Sequence, residues 1–265
     1  MTFYPIIDLD YNLTDPDDSI PVRADYLTDI AAIGSLLSWH RMDADYVTKD
    51  GSNRVSALTD LSGNDNTFTQ GTGGNQPLWL GATDNEVAPL LNTRPCVSFD
   101  SGRGDVMAWG GTFPTGDHTK VVVLRPDGAA SSTQNILSDS ATPGKHTLFR
   151  VALNDSIRSA LDESPNAVDP QVDVTDDEWV LIISSFDASA GTAKISKNGG
   201  TIVSETDAFA AVERTALYLG GTSGGGQLNG QIADIMIFDA DIHADATNLA
   251  LIKAYIEGRY GLNLS

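Results

Sequence analysis

The stretch W-V-L-I-I-S-S-F at residues 179–186 is a short, almost unbroken apolar run bounded by polar residues. Two similar runs are T-K-V-V-V-L-R at residues 119–125 and G-Q-I-A-D-I-M-I-F at residues 230–238. Runs of Val, Ile and Leu of this length are typical of strands that are buried on both faces. They therefore predict the central strands of a β-sheet.

Shorter apolar runs flank these three and are separated at regular intervals by clusters of Gly, Asp, Asn and Ser. This arrangement is typical of an all-β sandwich or barrel. We predict further strands at residues 35–40, 95–99, 147–153, 192–197, 201–205 and 215–220. Between the runs at 192–197 and 201–205 lie Asn198, Gly199 and Gly200, which accept the positive φ angles of a tight turn, so these two strands should form a hairpin.

Helical periodicity occurs near both ends of the chain. Between residues 24 and 37 the apolar residues recur at helical spacing, which predicts a short amphipathic helix packed against the base of the main domain. After Asp241 the apolar residues again follow a helical period, with Asp245 placed to cap the first turn and Gly261 placed to follow the last. We therefore expect one terminal helix.

The composition is that of a folded, acidic protein. The 265 residues include 36 Asp and Glu against 16 Lys and Arg, a formal charge of −20, while 41% are hydrophobic. Proteins that bind nucleic acid or an anionic membrane need clustered basic residues, and no basic run is present, so neither partner is expected. The single cysteine, Cys96, excludes an intrachain disulfide and is interpreted as a small buried side chain.

Several spaced segments carry a resemblance to a known family. They are Trp39, L-T-D-L-S-G-N-D-N (58–66), Pro77, R-P-C-V-S-F-D-S-G-R-G-D-V-M (94–107), D-E-W-V-L-I-I-S-S-F-D (177–187), K-I-S-K-N-G-G (194–200), L-Y-L-G-G (217–221) and L-N-G-Q-I-A-D-I-M-I-F-D-A-D-I (228–242). In their order and spacing, residues 36–265 resemble the concanavalin A-like lectin/glucanase superfamily, specifically its laminin-G-like jelly rolls. The ending Y-I-E-G-R-Y-G-L-N-L resembles the version of this domain found in tailed-phage and bacterial extracellular proteins.

The resemblance implies an all-β fold, a two-sheet antiparallel jelly-roll sandwich with an N-terminal arm and a C-terminal helix. Residues 1–36 would form the arm and its short helix, and residues 37–265 the jelly roll, whose strands end near residue 242. Trp179 and Phe186 are expected to fill space between the sheets. The side chains predicted to lie in or beside the core are Trp39, Phe99, Trp179, Ile182 and Ile235.

The N-terminal arm contains Pro5, Pro16 and Pro21 together with acidic residues, and it shows no helical period. So short a segment cannot build a core of its own, and we expect its apolar residues to bury against a partner subunit. The alternative is that the arm folds back and covers an exposed sheet edge of its own domain. The predicted partner-binding residues are Phe3, Tyr4, Ile6, Ile7, Leu9, Tyr11 and Leu13.

No catalytic residue is predicted. The glucanases that this chain resembles carry paired carboxylates on a Glu-x-Asp-x-x-Glu strand, which the sequence lacks. The run G-T-S-G-G at residues 221–225 has the spacing of a nucleophile elbow, but a strand is expected where that motif needs a helix. His40, His118, His146 and His243 are far apart in the sequence, which favours structural or surface roles. The chain is therefore expected not to be an enzyme.

Two kinds of binding site are considered. Asp60, Asn64 and Asp65 supply the oxygen ligands that calcium prefers, and calcium is the one cofactor with support. The alternative is that the same stretch forms an Asx-turn without metal. Trp79 and Trp109 stand in loop-like contexts and are candidates for contact with a glycan, the alternative being that each packs at the rim of the sandwich.

These observations lead to two functional hypotheses. The first is a non-enzymatic virion structural protein of a tailed bacteriophage, a head decoration or another surface component of capsid or tail, anchored by its arm. Its partners would be other virion subunits such as capsid protein, further copies of itself, or a host surface glycan. The second is an extracellular carbohydrate-binding or adhesion module. The sequence starts without the basic and apolar regions of a secretory signal, so we expect a soluble protein made in the host cytoplasm.

Overall fold

The computed structural model describes residues 24–81, 91–128, 132–139, 146–151, 155–163, 166–208, 216–222 and 225–265. Among these residues, eighteen strands form two antiparallel sheets that are accompanied by two α-helices. The helices are α1 (Ala24–Ala31) and α2 (Ala246–Tyr260). The strands are β1 (Leu36–Arg41), β2 (Val47–Lys49), β3 (Val55–Leu58), β4 (Phe68–Thr69), β5 (Leu78–Leu80), β6 (Cys96–Phe99), β7 (Met107–Trp109), β8 (His118–Pro126), β9 (Gln134–Ser138), β10 (Thr147–Val151), β11 (Ser156–Glu163), β12 (Asn166–Val168), β13 (Gln171–Asp173), β14 (Val180–Asp187), β15 (Thr192–Lys197), β16 (Val203–Thr206), β17 (Tyr218–Leu219) and β18 (Gly230–Phe238).

The two sheets have different sizes. The eight-stranded sheet has the order β16-β15-β14-β8-β18-β6-β5, and β1 also pairs with β18. The ten-stranded sheet has the order β12-β11-β10-β9-β17-β7-β4-β3-β2, and β13 also pairs with β11. This architecture confirms the predicted two-sheet antiparallel sandwich with a C-terminal helix. Within the described residues, no helix is long and apolar enough to cross a membrane.

Two apolar layers lie on opposite faces of the eight-stranded sheet. The inter-sheet layer fills the sandwich and combines Ile182 and Ile235 with Leu148 and Ile157 of the ten-stranded sheet. The helix layer lies between the eight-stranded sheet and the two helices and includes Trp39. Strands β8, β14 and β18 contribute to both layers, and every residue of β8 and β18 is buried. The prediction that these runs are buried on both faces is therefore confirmed.

One predicted core position is in a different layer from the one expected. Trp179 packs, partly buried, against the helix layer rather than between the sheets. It directly precedes β14, so its side chain follows the alternation of that strand, in which Leu181 and Ile183 also face the helices. Phe186 does lie between the sheets, where it contacts the cluster containing Leu161.

The predicted hairpin is confirmed. Strand β15 pairs with β16, and the intervening Asn198 and Gly199 have φ angles of 49° and 68°. Two consecutive residues with positive φ are typical of the tight turn whose twist matches that of the strands. The backbone N–H of Ser265 donates to the carbonyl of Asn198 at 2.8 Å, so the end of the chain packs on this turn.

Helix α1 is shorter than predicted and belongs to the packed domain. It ends at Ala31, and Leu36 already begins β1, so the sequence-based boundary at residue 36 falls at the start of a strand. Ile30 and Ile33 are buried in the helix layer. The turn at residues 32–35 contains Gly34, a poor helix former, which accounts for the early end of the helix.

A buried cluster of hydrogen bonds links α2 to the eight-stranded sheet. Asp234 on β18 accepts hydrogen bonds from the indole nitrogen of Trp39 at 3.1 Å and from the hydroxyls of Tyr255 and Tyr260 at 2.6 and 2.8 Å. As predicted, Asp245 caps α2 by accepting the backbone N–H of Asn248, and Gly261 ends it in the left-handed conformation. The helices thus cover the outer face of this sheet.

Candidate functional site

The residues predicted to bind calcium organise the loop that follows β3. Asp60 accepts four hydrogen bonds of 2.8–2.9 Å, three of them from backbone N–H groups. Asn64 donates its side-chain amide to backbone carbonyls of β1, and Asp65 has a φ of 60°. This is the pattern of the Asx-turn alternative. Within the described residues, no group of three His, Cys, Asp or Glu side chains is arranged to hold a metal ion, and calcium stays a prediction.

The expected loop setting is wrong for both tryptophans that were considered for glycan contact. Trp79 lies on β5, packs against the inter-sheet layer and donates its indole N–H to the carbonyl of Met42 at 2.8 Å. The ammonium of Lys49 lies 4.2 Å from the centre of its ring. Trp109 lies on β7, is only 7% exposed and packs edge-on against Phe113. Both rings therefore pack in the sandwich, which was the stated alternative.

The predicted partner-binding residues of the arm, from Phe3 to Leu13, lie outside the described residues. So does Ser223 of the G-T-S-G-G run.

One sheet face has no helix layer over it in the described part of the chain. This is the outer face of the ten-stranded sheet. Leu148 and Leu219 point into the inter-sheet layer and are fully buried, whereas the adjacent Phe149 and Tyr218 are only partly buried. Since successive side chains of a strand point to opposite faces, the two aromatic rings face outward.

We call this surface the open face and define it by its outward side chains, Thr69, Ala108, Asn135, Phe149, Arg158 and Tyr218. Tyr218 pairs with Ser138 of β9, while Phe149 pairs with Asn135 of the same strand. Only β9 separates the strands that carry the two rings, and their β9 partners are three residues apart, so the two residues lie roughly 10 Å apart across the sheet and roughly 7–10 Å apart along it. The open face therefore presents two separate aromatic rings on one surface.

The polar side chains of the open face are held in place by defined partners. Asn135 donates its amide to the carbonyl of Gly226 at 3.2 Å. A Cβ atom at Gly226 would lie 2.4 Å from the Asn135 amide nitrogen, so only glycine allows the loop before β18 to approach this closely. Arg158 donates to Asp169 at 2.7 Å. The face thus combines aromatic rings with oriented amide and guanidinium groups.

The structure also assembles a buried cluster that the sequence did not predict. The ring of Phe113 stacks on His146 with centroids 4.1 Å apart and meets His118 edge-on at 4.7 Å. Lys120 donates to the carbonyls of Leu137 and His146. Burial lowers the pKa of His118 to about 3 and that of Lys120 to about 7. These groups are enclosed between the sheets, which gives them a structural role.

A second cluster contains the residue types of a nucleophile triad in a different arrangement. Ser185 donates to Asp241 at 2.7 Å and contacts Nδ1 of His243 at 2.6 Å, while Nε2 of His243 lies 2.9 Å from the hydroxyl of Ser196. In a triad the carboxylate binds the histidine directly, whereas here Ser185 stands between them. Asp241 also pairs with Lys194. The cluster fixes the turn after β18.

The family model of the concanavalin A-like lectin/glucanases superfamily matches residues 100–246, just over half of the chain. The chain belongs to this superfamily. Its match spans β7 to the start of α2, and therefore includes the strands of the open face that carry Tyr218 and Phe149.

Solved structures share the fold at low sequence identity. Domain 4 of AbnA, a GH43 extracellular arabinanase from Geobacillus stearothermophilus, in complex with arabinotriose, is 16% identical with a TM-score of 0.56, over 82% of this chain and 98% of that one. Trypanosoma rangeli sialidase in complex with sialic acid is 11% identical with a TM-score of 0.56, over 88% of this chain and 37% of that one. A comparison with curated proteins finds no match. At these identities the similarity concerns the fold alone.

Proposed function

We propose that this chain is a non-catalytic carbohydrate-binding protein that recognises a glycan on the open face. The observation that carries the proposal is the outward placement of Tyr218 and Phe149 on the one sheet face that the described helices leave uncovered. Aromatic rings bury the apolar faces of sugars, and neighbouring polar groups bind the hydroxyls. The arabinanase domain that shares the fold is itself in complex with arabinotriose, which supports the proposal.

The environments of the ionisable groups support the non-catalytic part of the proposal. A glycosidase needs two carboxyl groups that flank a bound sugar. Asp234 is buried beneath α2 and satisfied by three donors. Asp177 and Asp127 at one end of the sandwich both lie within 4 Å of the Arg125 guanidinium, which donates to Asp177. Neither arrangement lies on the open face.

A polysaccharide panel tests both parts of the proposal. The full chain is assayed against neutral and acidic polysaccharides for retention in affinity electrophoresis and for release of reducing ends. We expect retention by at least one glycan without release of reducing ends. Absence of retention by every glycan would reject carbohydrate binding, and release of reducing ends above background would reject the non-catalytic role.

A virion surface protein of a tailed bacteriophage is the second candidate, and the position of α1 favours it. This helix packs on the helix-covered side of the sandwich, so the chain enters the domain on the side away from the open face. An arm that held the domain to capsid or tail subunits would then leave the open face pointing away from the particle, towards a host glycan. The resemblance to tailed-phage domains agrees with this location.

Deletion of residues 1–22 tests the virion role. If the arm anchors the protein, particles assembled in the presence of the truncated chain do not incorporate that chain. The isolated truncated chain keeps the melting temperature of the full chain. Normal incorporation together with a lowered melting temperature would mean that the arm stabilises its own domain instead.

A further inference from the structure

A groove of about 520 Å³ runs along α1 on the helix-covered side of the molecule. One wall is a flank of α1, and the opposite wall comes from β1 and the loops beside it. The residues that line it are Leu27, Thr28, Ala31, Ala32, Trp39, Arg41, Tyr46 and Leu61. Most of these side chains are apolar, so the groove suits a segment that carries large apolar residues.

Arg41 makes one wall of the groove cationic. Its guanidinium lies 6.0 Å from the centre of the Trp39 ring and 5.6 Å from that of Tyr46, and it pairs with Asp43. The Nε atom of Arg41 is buried without a hydrogen-bond partner. A segment that combines apolar with acidic residues therefore fits this groove better than a purely apolar one.

We propose that the groove binds residues 3–13 of the N-terminal arm of a second copy of this chain. That segment, F-Y-P-I-I-D-L-D-Y-N-L, contains seven large apolar residues and two aspartates. It matches the apolar lining and the cationic wall. The arm precedes α1, the element that forms the other wall, so every copy carries both the groove and a segment that fits it.

The linker between this segment and α1 favours a second copy over the same chain. Residues 14–23, T-D-P-D-D-S-I-P-V-R, contain three aspartates and two prolines. Charge repulsion and proline favour extended conformations in a sequence of this composition, and ten residues extended at about 3.1 Å each would span roughly 30 Å. The groove begins at Leu27, only about 5 Å along the helix axis from Ala24. A linker of that span would carry the arm past the groove of its own chain.

Light scattering after size-exclusion chromatography tests the proposal. The full chain should have at least twice the mass of one chain, whereas deletion of residues 1–13 and the substitution Ala31→Trp, which fills the groove, should each give monomers. Ala31 is exposed, so the substitution leaves the core intact, and this is checked by an unchanged melting temperature when Ala31→Trp is made in the chain that lacks residues 1–13. The control Ala250→Trp, at an exposed position of α2, should keep the assembly.

A mixing experiment tests the pairing of groove and arm directly. The deletion variant retains a groove and the Ala31→Trp variant retains an arm, so the mixture should form a one-to-one complex. A monomeric full chain, an assembly that survives Ala31→Trp, or a failure of the two variants to associate would overturn the proposal. A monomer whose melting temperature falls on deletion of the arm would place the arm in the groove of its own chain, which also overturns it.

Discussion

Asp234 and Lys120 are buried ionisable residues on opposite faces of the eight-stranded sheet. Asp234 faces α2 and accepts three hydrogen bonds, while Lys120 faces the ten-stranded sheet and donates to backbone carbonyls. Burying a charge is costly unless its partners compensate, so each residue fixes the element that supplies those partners. At the residue scale, the attachment of α2 and the closure of the sandwich therefore depend on single side chains.

The substitution Asp234→Ala should lower the free energy of unfolding by about 2–4 kcal/mol, because it leaves the buried donors of Trp39 and Tyr255 without an acceptor and leaves Tyr260 only the carbonyl of Ala233. Urea unfolding measures the change. The control is Asp45→Ala, at an exposed position in the turn after β1, and its free energy of unfolding should stay within about 0.5 kcal/mol of that of the unsubstituted protein. Equal effects of the two substitutions would show that the cluster does not hold α2.

Lys120 should make stability depend on pH above neutrality. Burial lowers its pKa to about 7 in the folded chain, against 10.5 as its ordinary value. Between these values the unfolded chain binds more protons, so this residue's contribution to stability increases as the pH rises from 7 towards 10 and is lost as it falls. Urea unfolding at pH 7, 8 and 9 should show a rise that is absent in Lys120→Met. Parallel pH profiles of the two proteins would contradict this.

The candidate site was harder to predict at this scale than the core. Ile182 and Ile235 are recognisable from continuous apolar runs, and both are buried as predicted. Tyr218 and Phe149 face outward because of the alternation of β17 and β10, and they share a surface only because both strands pair with β9. Single-sequence patterns do not give such pairings. The sequence offered Trp79 and Trp109 as the candidates for glycan contact, with packing at the rim as the alternative, and Trp109 lies in the inter-sheet layer.

At the scale of elements, strands with an apolar run and turns with a distinct residue signature were predictable, whereas most short strands and the more polar eight-residue β11 were not. The strands β8, β14 and β18 are eight or nine residues long, and each contains four consecutive apolar residues. By contrast, β4 has two residues and β2 has three, and they are strands because neighbouring strands pair with them. Their sequences carry too few residues for a period-2 pattern.

The turn between β15 and β16 should depend strongly on Gly199. A Cβ atom there would lie 2.5 Å from the side chain of Lys253 and 2.8 Å from the carbonyl oxygen of Ser265, and the φ of 68° is unfavourable for other residues. Gly199→Ala should therefore lower the free energy of unfolding by about 1–2 kcal/mol. Gly51→Ala, where a Cβ would meet nothing within 4 Å, is the matched control and should change it by less. A smaller loss at Gly199 than at Gly51 would contradict this account of the turn.

At the scale of the whole molecule, the fold separates two surfaces. The helices and the groove lie on one side of the sandwich, and the open face lies on the other. A protein built in this way can assemble through one side while the other contacts a ligand. The net charge of −20 is a second property of the whole molecule, because negatively charged side chains repel one another and this repulsion destabilises the folded state.

Salt should therefore stabilise the protein. Screening of repulsion between surface carboxylates strengthens as the Debye length shortens, from about 10 Å at 0.1 M to about 3 Å at 1 M salt. Differential scanning fluorimetry in increasing NaCl should show a rising melting temperature for the chain lacking residues 1–13, in which assembly cannot contribute. A melting temperature that falls with salt would mean that attractive ion pairs, rather than repulsion, dominate the surface.

The open face as the glycan-binding surface is the central claim, and the affinity of the double variant Tyr218→Ala/Phe149→Ala tests it most directly. Isothermal titration with an oligosaccharide from a retained polysaccharide should show a loss of at least about tenfold, or ~1.4 kcal/mol, with unchanged circular dichroism. Ile202→Ala truncates a side chain that is 43% exposed beside the edge strand β16 of the other sheet, and it should leave the affinity unchanged. Unaltered affinity of the double variant, or an equal loss in Ile202→Ala, would contradict the claim.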